Sequence, residues 1–322
     1  MRKLLLLLAL TLFAAACGES ETAAPAANPA AQVDVASNQV VVRTAVQGST
    51  TDVVINEAGV QARQEDALLR MQPGVSKNAT AYVLGLQVCQ LFIINTGPMG
   101  RVIPSPLGGS VDVTVNGTTA TAVFTEFRTL TATLNGTTTA SLTNGTVQSG
   151  SYAAALTFTA MQVTTAQGSY RLDGTATLSR SRSAQTVDSI WTVNLTAQDV
   201  NGASLTFQNF TTVSHVTLNA GGFEATQTYA GTVSYAGVAG PTGALSGTLT
   251  VSTPTAFRYV GTTSSFQLLE GQMLLSGQAA GTLRVTVTAP NTLELALVQP
   301  NGTVIVLETA SWESLGGSTS TQ

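Results

Sequence analysis

Charge is scarce in this chain of 322 residues. Charged residues make up only 9% of the sequence, and 17 acidic residues outnumber 13 basic ones. Because nucleic acids and anionic lipid headgroups are bound through clusters of Lys and Arg, this balance argues against a nucleic-acid partner. Hydrophobic residues nevertheless make up 43% of the chain. That fraction is enough to build a core, so the sequence predicts a folded protein rather than a disordered polar chain.

Histidine and cysteine are almost absent. His215 is the only histidine, and Cys17 and Cys89 are the only cysteines. A zinc site usually takes several His or Cys ligands, so we expect no metal and no cofactor. The sequence also contains no Gly-x-Ser-x-Gly, the motif that places a nucleophilic serine in many hydrolases. We therefore interpret His215 as a strand residue, Cys89 as a buried thiol and the protein as non-catalytic, with a hydrolase as an open alternative.

The first residues have the order of a secretory signal. Met1-Arg2-Lys3 supplies two cations, and Leu4–Ala16 is an apolar run that ends in small residues before Cys17. This arrangement resembles a bacterial lipoprotein signal peptide. The resemblance implies that residues 1–16 are removed and that Cys17 becomes the first residue, acylated with fatty acids such as palmitate. The alternative is an ordinary cleaved signal, in which Cys17 stays unmodified.

The residue after the cysteine bears on the destination of such a lipoprotein. In the resembled family, an aspartate there tends to retain the protein at the inner membrane. Gly18 stands at this position in the chain. The resemblance therefore implies the outer membrane, at its periplasmic face or at the cell surface.

Composition divides the rest of the chain into a tether, a folded part and a tail. Residues 17–38 are mostly Ala, Pro, Glu, Thr and Asn and are predicted to be a disordered tether. We predict one all-β domain at 39–315. Two β subdomains are the alternative, divided near 97–109 or near 237–243. Residues 316–322 are predicted to be a disordered tail.

The first part of the folded region mixes strand and helix signals. Gln39–Arg43 and Asp52–Ile55 are rich in Val and Ile and are predicted to be short strands. Apolar positions within Glu57–Met71 recur with helical spacing, and Gln72-Pro73-Gly74 would end that helix. Tyr82–Asn95 is interpreted as the next strand. One short N-terminal helix is therefore expected in an otherwise all-β protein.

From Val111 to Leu307, apolar and polar residues alternate, and the polar positions are mostly threonine. Such a period of two indicates antiparallel strands with one dry face and one wet face. We predict a long antiparallel meander that forms a sandwich, a curved sheet or a barrel-like domain. The positions predicted to point inward are Val113, Trp191, Val193, Leu195, Leu249, Val251, Leu283, Val285 and Leu295.

Asn-Gly and Asp-Gly pairs are the strongest turn signals in the chain. They accept the positive φ that tight hairpin turns require. We predict hairpin turns at Asn116-Gly117, Asn135-Gly136, Asn144-Gly145, Asp173-Gly174, Asn201-Gly202 and Asn301-Gly302. Asp199–Gly202 is also similar to the start of a calcium loop, but the later acidic ligands are missing, which favours a turn.

The aromatic residues of the C-terminal half could line a groove for a glycan or a lipid, or they could fill the core. We favour the core for this set: Trp191, Trp312, Phe207, Phe210, Tyr229, Tyr235, Phe257 and Tyr259. The C-terminal segments Ser246–Pro254, Leu283–Val287, Asn301–Thr303 and Ser311–Leu315 look like the closing hairpins of uncharacterised β-rich lipoproteins of proteobacteria. That resemblance implies no activity.

The sequence thus predicts a lipoprotein anchored in the outer membrane that acts as a non-catalytic binding or structural module. Its partners are the membrane, through the lipid on Cys17, and an envelope protein or glycan. Three alternatives stay open: a carrier of a lipid or other apolar ligand, an integral β-barrel, and a hydrolase.

Overall fold

The computed structural model describes residues 35–49, 76–94, 100–166, 168–262, 265–277 and 281–315. Two α-helices in this part precede the sheet, α1 (Val35–Ser49) and α2 (Lys77–Ile94). The strands are β1 (Arg101–Pro104), β2 (Ser110–Asn116), β3 (Thr119–Arg128), β4 (Ala132–Thr146), β5 (Ser151–Thr165), β6 (Gly168–Arg182), β7 (Thr186–Asp199), β8 (Ser204–Asn219), β9 (Gly222–Gly240), β10 (Gly243–Gly261), β11 (Phe266–Gly277), β12 (Thr282–Ala289), β13 (Thr292–Val298) and β14 (Val304–Ser311). Short 3-10 helices lie at Val147–Ser149 and Glu313–Leu315.

All fourteen strands belong to one sheet, and their spatial order is their order in the chain. Every neighbouring pair is antiparallel, from β1–β2 to β13–β14. The predicted all-β antiparallel meander is therefore confirmed. The sheet is open, with β1 and β14 as its two edges in the described part of the chain. It continues through residues 237–243, where β9 and β10 form a hairpin.

The two faces of the sheet differ as the alternation predicts. All nine residues predicted to point inward are buried. Hydroxyl side chains pair across strands on the other face: the Oγ1 atoms of Thr192 and Thr211 are 3.0 Å apart, and Ser234 Oγ is 2.9 Å from Thr248 Oγ1. The assignment of a dry inner face and a threonine-rich outer face is thus confirmed.

Three of the six predicted hairpin turns are correct, at Asn116-Gly117, Asn201-Gly202 and Asn301-Gly302. The other three predictions are wrong, because the dipeptides lie inside strands. Asn135-Gly136 and Asn144-Gly145 belong to β4, and Asp173-Gly174 belongs to β6. A β-bulge needs positive φ and a close backbone approach just as a turn does, so glycine serves both.

The bulges of β3 and β5 are built alike. Ala160 has a φ of +50°, and its N–H donates to Asp173 Oδ1 at 2.8 Å. Glu126 has a φ of +46°, and its N–H donates to Asn135 Oδ1 at 2.8 Å. A Cβ on Gly136 would lie 2.4 Å from Ala160 O, so only glycine fits there. Such bulges increase strand twist and bend a sheet, which gives this sheet its inward curvature.

Helix α2 lies against the inner face of the sheet. The predicted strand at Tyr82–Asn95 is therefore wrong: Lys77–Ile94 is helical. Buried apolar side chains occur all around this helix, which removes the polar stripe that would reveal a helical period. A Cβ on Gly85 would lie 2.8 Å from Leu156 Cδ2 and 3.4 Å from Trp191, so the helix packs closely on β5 and β7. No helix in the described residues is long and apolar enough to cross a membrane.

Helix α1 replaces the strand predicted at Gln39–Arg43, which is therefore also wrong. Tertiary contacts override the β-propensity of its valines. Both Arg43 and Gln39 donate hydrogen bonds to the Glu308 carboxylate on β14, the latter at 3.0 Å. The predicted N-terminal helix is present as α1, which begins at Val35, inside the predicted tether. The segments predicted at 52–55 and 57–71, the residues 1–34 and the tail 316–322 lie outside the described residues.

Candidate functional site

His215 lies on the outer face of β8, within reach of two side chains. Its Nδ1 is 2.5 Å from Asp188 Oδ1 on β7, and its Nε2 is 3.3 Å from Thr217 Oγ1. About half of the His215 and Asp188 side chains is exposed to solvent, 50% and 53%. The sheet thus brings a carboxylate, an imidazole and a hydroxyl into line at its surface.

This order of groups is that of a nucleophilic triad, but the surroundings do not support acyl transfer. A triad needs backbone N–H groups that are free to stabilise an oxyanion. Thr217 instead stands in register with Thr186 on one side and Glu224 on the other, so its backbone belongs to the sheet ladder. The arrangement is best described as an exposed hydrogen-bonded cluster on a strand surface.

A bulge creates this cluster, which is why sequence reasoning missed it. Near the β7–β8 turn, Gln198 pairs with Ser204. The same register would place Asp188 opposite Ser214, whose side chain points inward. The extra residue at Asn209, which has a φ of +47°, shifts the pairing by one and sets Asp188 opposite His215. The spacing of the two residues in the sequence gave no such signal.

Two other outer-face carboxylates, those of Glu224 and Glu294, are tied to arginines rather than to each other. Glu224 Oε1 accepts a hydrogen bond from Arg258 Nε at 2.7 Å, and Glu294 lies 3.3 Å from Arg284 Nη2. No group of three or more His, Cys, Asp or Glu side chains in the described residues could hold a metal ion. These pairs are partly exposed and contribute little to stability.

Asp199 serves the β7–β8 turn. Its Oδ1 accepts the N–H groups of Asn201 and Ala203, both at 2.9 Å. Gly202 N donates to Asp199 O at 3.2 Å and closes the turn. The turn predicted at Asp199–Gly202 is therefore present, and one oxygen of the carboxylate that could have opened a calcium loop is engaged in it.

The aromatic residues fill the interior, as predicted. All eight members of the predicted set are buried. Trp312, which follows β14, stacks on Phe257 of β10 with ring centroids 6.5 Å apart and meets Tyr259 at 6.2 Å. The sheet therefore curls far enough for the end of β14 to reach β10. Gln227 Oε1 accepts the Tyr229 hydroxyl at 2.6 Å, which satisfies a polar group inside this cluster.

The structure describes only one of the two cysteines. Cys17, the predicted acylation site, lies outside the described residues. Cys89 is a fully buried free thiol on α2. Burial raises the pKa of the Cys89 thiol to about 12. At neutral pH the group is therefore a thiol and not a reactive thiolate, as expected for a small core residue.

The two edges of the sheet are unequal. Strand β1 is short, begins at Arg101 and ends at Pro104. A charge and a proline are common ways of protecting an edge strand from pairing. Strand β14 is twice as long and has no proline, and its valines Val304 and Val306 are 43% and 52% exposed. In the described part of the chain, β14 pairs only with β13.

No known protein family, no curated protein and no solved structure matches this chain.

Proposed function

We propose that the protein is a lipoprotein of the outer membrane, acylated at Cys17, and that it acts as a non-catalytic binding module. Its binding element is the outer edge of β14. The partner is an extended segment of another envelope protein, which pairs with this edge as an additional strand. The exposed, uncharged start of β14 is the observation that carries the proposal.

An edge strand offers a row of main-chain donors and acceptors, and an extended peptide can complete the ladder. From Val304 to Leu307 the edge carries no charge that would repel such a peptide. The first charge, Glu308, is held by Arg43 of α1, and this contact lowers the pKa of Glu308. The carboxylate thus stays ionised while it is bound to the helix.

The interior of the sheet supports a binding surface on the outside rather than a ligand inside. Helix α2 and the aromatic cluster pack against the inner face, so a carrier would have to displace them. A glycan partner is also less well supported. Exposed aromatic rings commonly bind sugars, and the described aromatic residues are buried or half-buried.

Site-specific photo-crosslinking in intact envelopes tests the proposal. A crosslinker at Val306 should capture a defined envelope protein. The same crosslinker at Val123, on the outer face of β3 and 41% exposed, is the matched control and should not. Val304→Lys should abolish the adduct, because a charge blocks strand addition. Equal adducts from both positions, or none from position 306, would overturn the proposal.

A further inference from the structure

The inner face of the sheet carries a row of apolar side chains that ends at β14. The register sets one residue from each of five consecutive strands side by side: Val251, Leu275, Leu283, Leu297 and Ile305. The first four are at most 5% exposed, but Ile305 is only half-buried, although it packs against the core. In the described part of the chain, no further strand continues the row on the open side of β14.

Leu307 is incompletely covered in the same way. It packs against the core and is only half-buried. On the neighbouring strand β13, by contrast, Leu293, Leu295 and Leu297 are at most 3% exposed. The apolar inner layer is thus complete at β13 and incomplete at the start of β14.

The main chain of β14 shows how a further strand would attach. Where β13 and β14 meet the turn, Gln299 N donates to Thr303 O at 2.9 Å. In an antiparallel pair, residues whose main-chain groups face the partner strand alternate with residues whose groups face away. The N–H and C=O groups of Ile305 therefore face β13. Those of Val304 and Val306 face the open side of the sheet.

This alternation determines the side chains of an added antiparallel strand. Two of its residues would lie opposite Val304 and Val306, bound through the main chain, with their side chains on the outer face. The residue between them would lie opposite Ile305, with its side chain on the inner face. A large apolar side chain there would continue the row. A polar or charged side chain would be dehydrated against Ile305 at a cost in free energy.

A bulge at the end of this stretch favours a flexible segment over a second copy of the protein. Leu307 is the extra residue of the bulge, because the pairing with β13 shifts between Val306 and Glu308. Bulges increase the twist of a strand and are one means by which edge strands avoid pairing with each other. Two β14 edges would each bring this distortion to the contact, whereas an extended peptide can follow the twist.

We infer that the partner segment completes the inner layer of the sheet. It is an uncharged strand with large apolar residues at alternate positions, one of them opposite Ile305. It has no proline opposite Val304 or Val306, because proline lacks the N–H that the open edge would bind. The inference rests on the proposed function, since it takes a segment of another protein to pair with β14, and it adds the chemistry of that segment.

Binding of fluorescein-labelled probe peptides to the purified full-length protein, measured by fluorescence anisotropy, tests the inference. The peptide Thr-Val-Thr-Leu-Thr-Val-Thr should bind, with threonines opposite Val304 and Val306 and an apolar residue opposite Ile305. Serine in place of its valines and leucine should weaken binding at least about tenfold, because the inner-face contact loses its apolar area. The inference is overturned if the protein does not bind the first peptide or binds the serine peptide equally well.

Val306→Pro removes an N–H that faces the open side and should weaken binding of the first peptide at least about tenfold. The matched control is Val102→Pro on β1. Ser105 N donates to Gly109 O at 3.0 Å, so by the same alternation the N–H of Val102 faces the open side of β1. This control should bind the peptide like the wild type. The circular dichroism spectrum checks that both variants are folded.

A peptide N-methylated at its threonines lacks the corresponding donors on the other side of the contact. It should not bind, and it replaces Val306→Pro if that variant does not fold. Binding that survives both changes would contradict the proposed function as well as the inference. If the apolar and serine peptides bind equally and both are lost in Val306→Pro, the edge adds strands without regard to their inner-face side chains, and only the inference fails.

Sedimentation velocity tests the remaining occupant. The protein alone should sediment as a monomer, because the bulge disfavours pairing of two β14 edges. A dimer that Val306→Pro dissociates would assign the edge to a second copy and overturn the inference.

Discussion

Asn78 Oδ1 accepts the indole N–H of Trp191 at 2.8 Å, with both side chains fully buried. This hydrogen bond joins the first turn of α2 to the middle of β7. Tyr170 and Thr80 form a second link, at 2.9 Å, between β6 and the same turn. Tyr82 adds an edge-to-face contact with Trp191 at 5.3 Å. The helix is thus fixed on the inner face by polar bonds as well as by packing.

The first prediction concerns this hydrogen bond. Asn78→Ala leaves the Trp191 N–H buried without its acceptor, so the free energy of unfolding should fall by about 1–3 kcal/mol. Thermal or urea unfolding measures the loss. Asn116→Ala, at an exposed hairpin position, is the control and should stay within about 0.5 kcal/mol. Equal effects of the two changes would show that α2 is not held by Trp191.

The second prediction tests the bulges that bend the sheet. Gly136 and Gly168 both have positive φ, +114° and +133°, but only Gly136 faces a neighbouring backbone atom, Ala160 O. A Cβ at Gly168 would meet nothing within 4 Å. Gly136→Ala should therefore cost about 1–3 kcal/mol more than Gly168→Ala, since both share the conformational strain and only one adds overlap. Similar losses of unfolding free energy in the two variants, measured by urea unfolding, would argue against the close approach of Gly136 to Ala160 O.

The third prediction uses the residue opposite that glycine. Ala160 is exposed and has a φ of +50°, a conformation that glycine adopts without penalty. Ala160→Gly should raise the free energy of unfolding by about 0.5 kcal/mol or more, because relief of strain exceeds the entropy that glycine adds to the unfolded chain. Ala155→Gly, in a regular part of β5, should lower it by about 0.5–1 kcal/mol. Destabilisation by both changes would contradict the bulge.

The fourth prediction is a pH dependence from the contact between α1 and β14. The hydrogen bonds from Arg43 lower the pKa of Glu308, and the one from Gln39 lowers it further. The folded-state pKa lies below the unfolded value of about 4.3. The contact therefore stabilises the fold fully at pH values above the unfolded-state pKa of Glu308. This stabilisation is lost as the pH falls through the folded-state pKa. Because the pair is partly exposed, the loss should be at most about 1 kcal/mol.

Glu308→Gln and Arg43→Met should each remove this acid-dependent part of the free energy of unfolding. The double variant should be destabilised no more than either single variant. Urea unfolding at neutral pH and at about pH 3 provides the comparison. An unchanged pH profile in both single variants would show that the contact does not contribute to folding.

Most strands after Val111 were predictable because they bury one face and expose the other. Val113, Leu283 and Val285 alternate with polar residues, and that alternation can be recognised without knowing how the strands pair. The helix α2 was not predictable in the same way. Its residues are buried on several sides by the curved sheet, so Tyr82–Ile94 shows no polar stripe, and its apolar run is equally typical of a strand.

The turns and the cluster around His215 show a second limit of prediction from the sequence. Asn116-Gly117 and Asn135-Gly136 have the same local chemistry, but one closes a hairpin and the other bends a strand. Only the pairing of distant strands distinguishes them. The contact between Asp188 and His215 depends on the bulge at Asn209, which the sequence does not mark. Long-range register therefore decides both the curvature and the surface chemistry.

Metabolic labelling with a clickable fatty acid tests most directly the claim that the protein is anchored by a lipid. The wild-type chain and Cys89→Ala, in which the buried thiol is replaced, should both carry the label and fractionate with the outer membrane. Cys17→Ala should lose the label. Label that persists in Cys17→Ala, or that is absent from the wild type, would contradict the account.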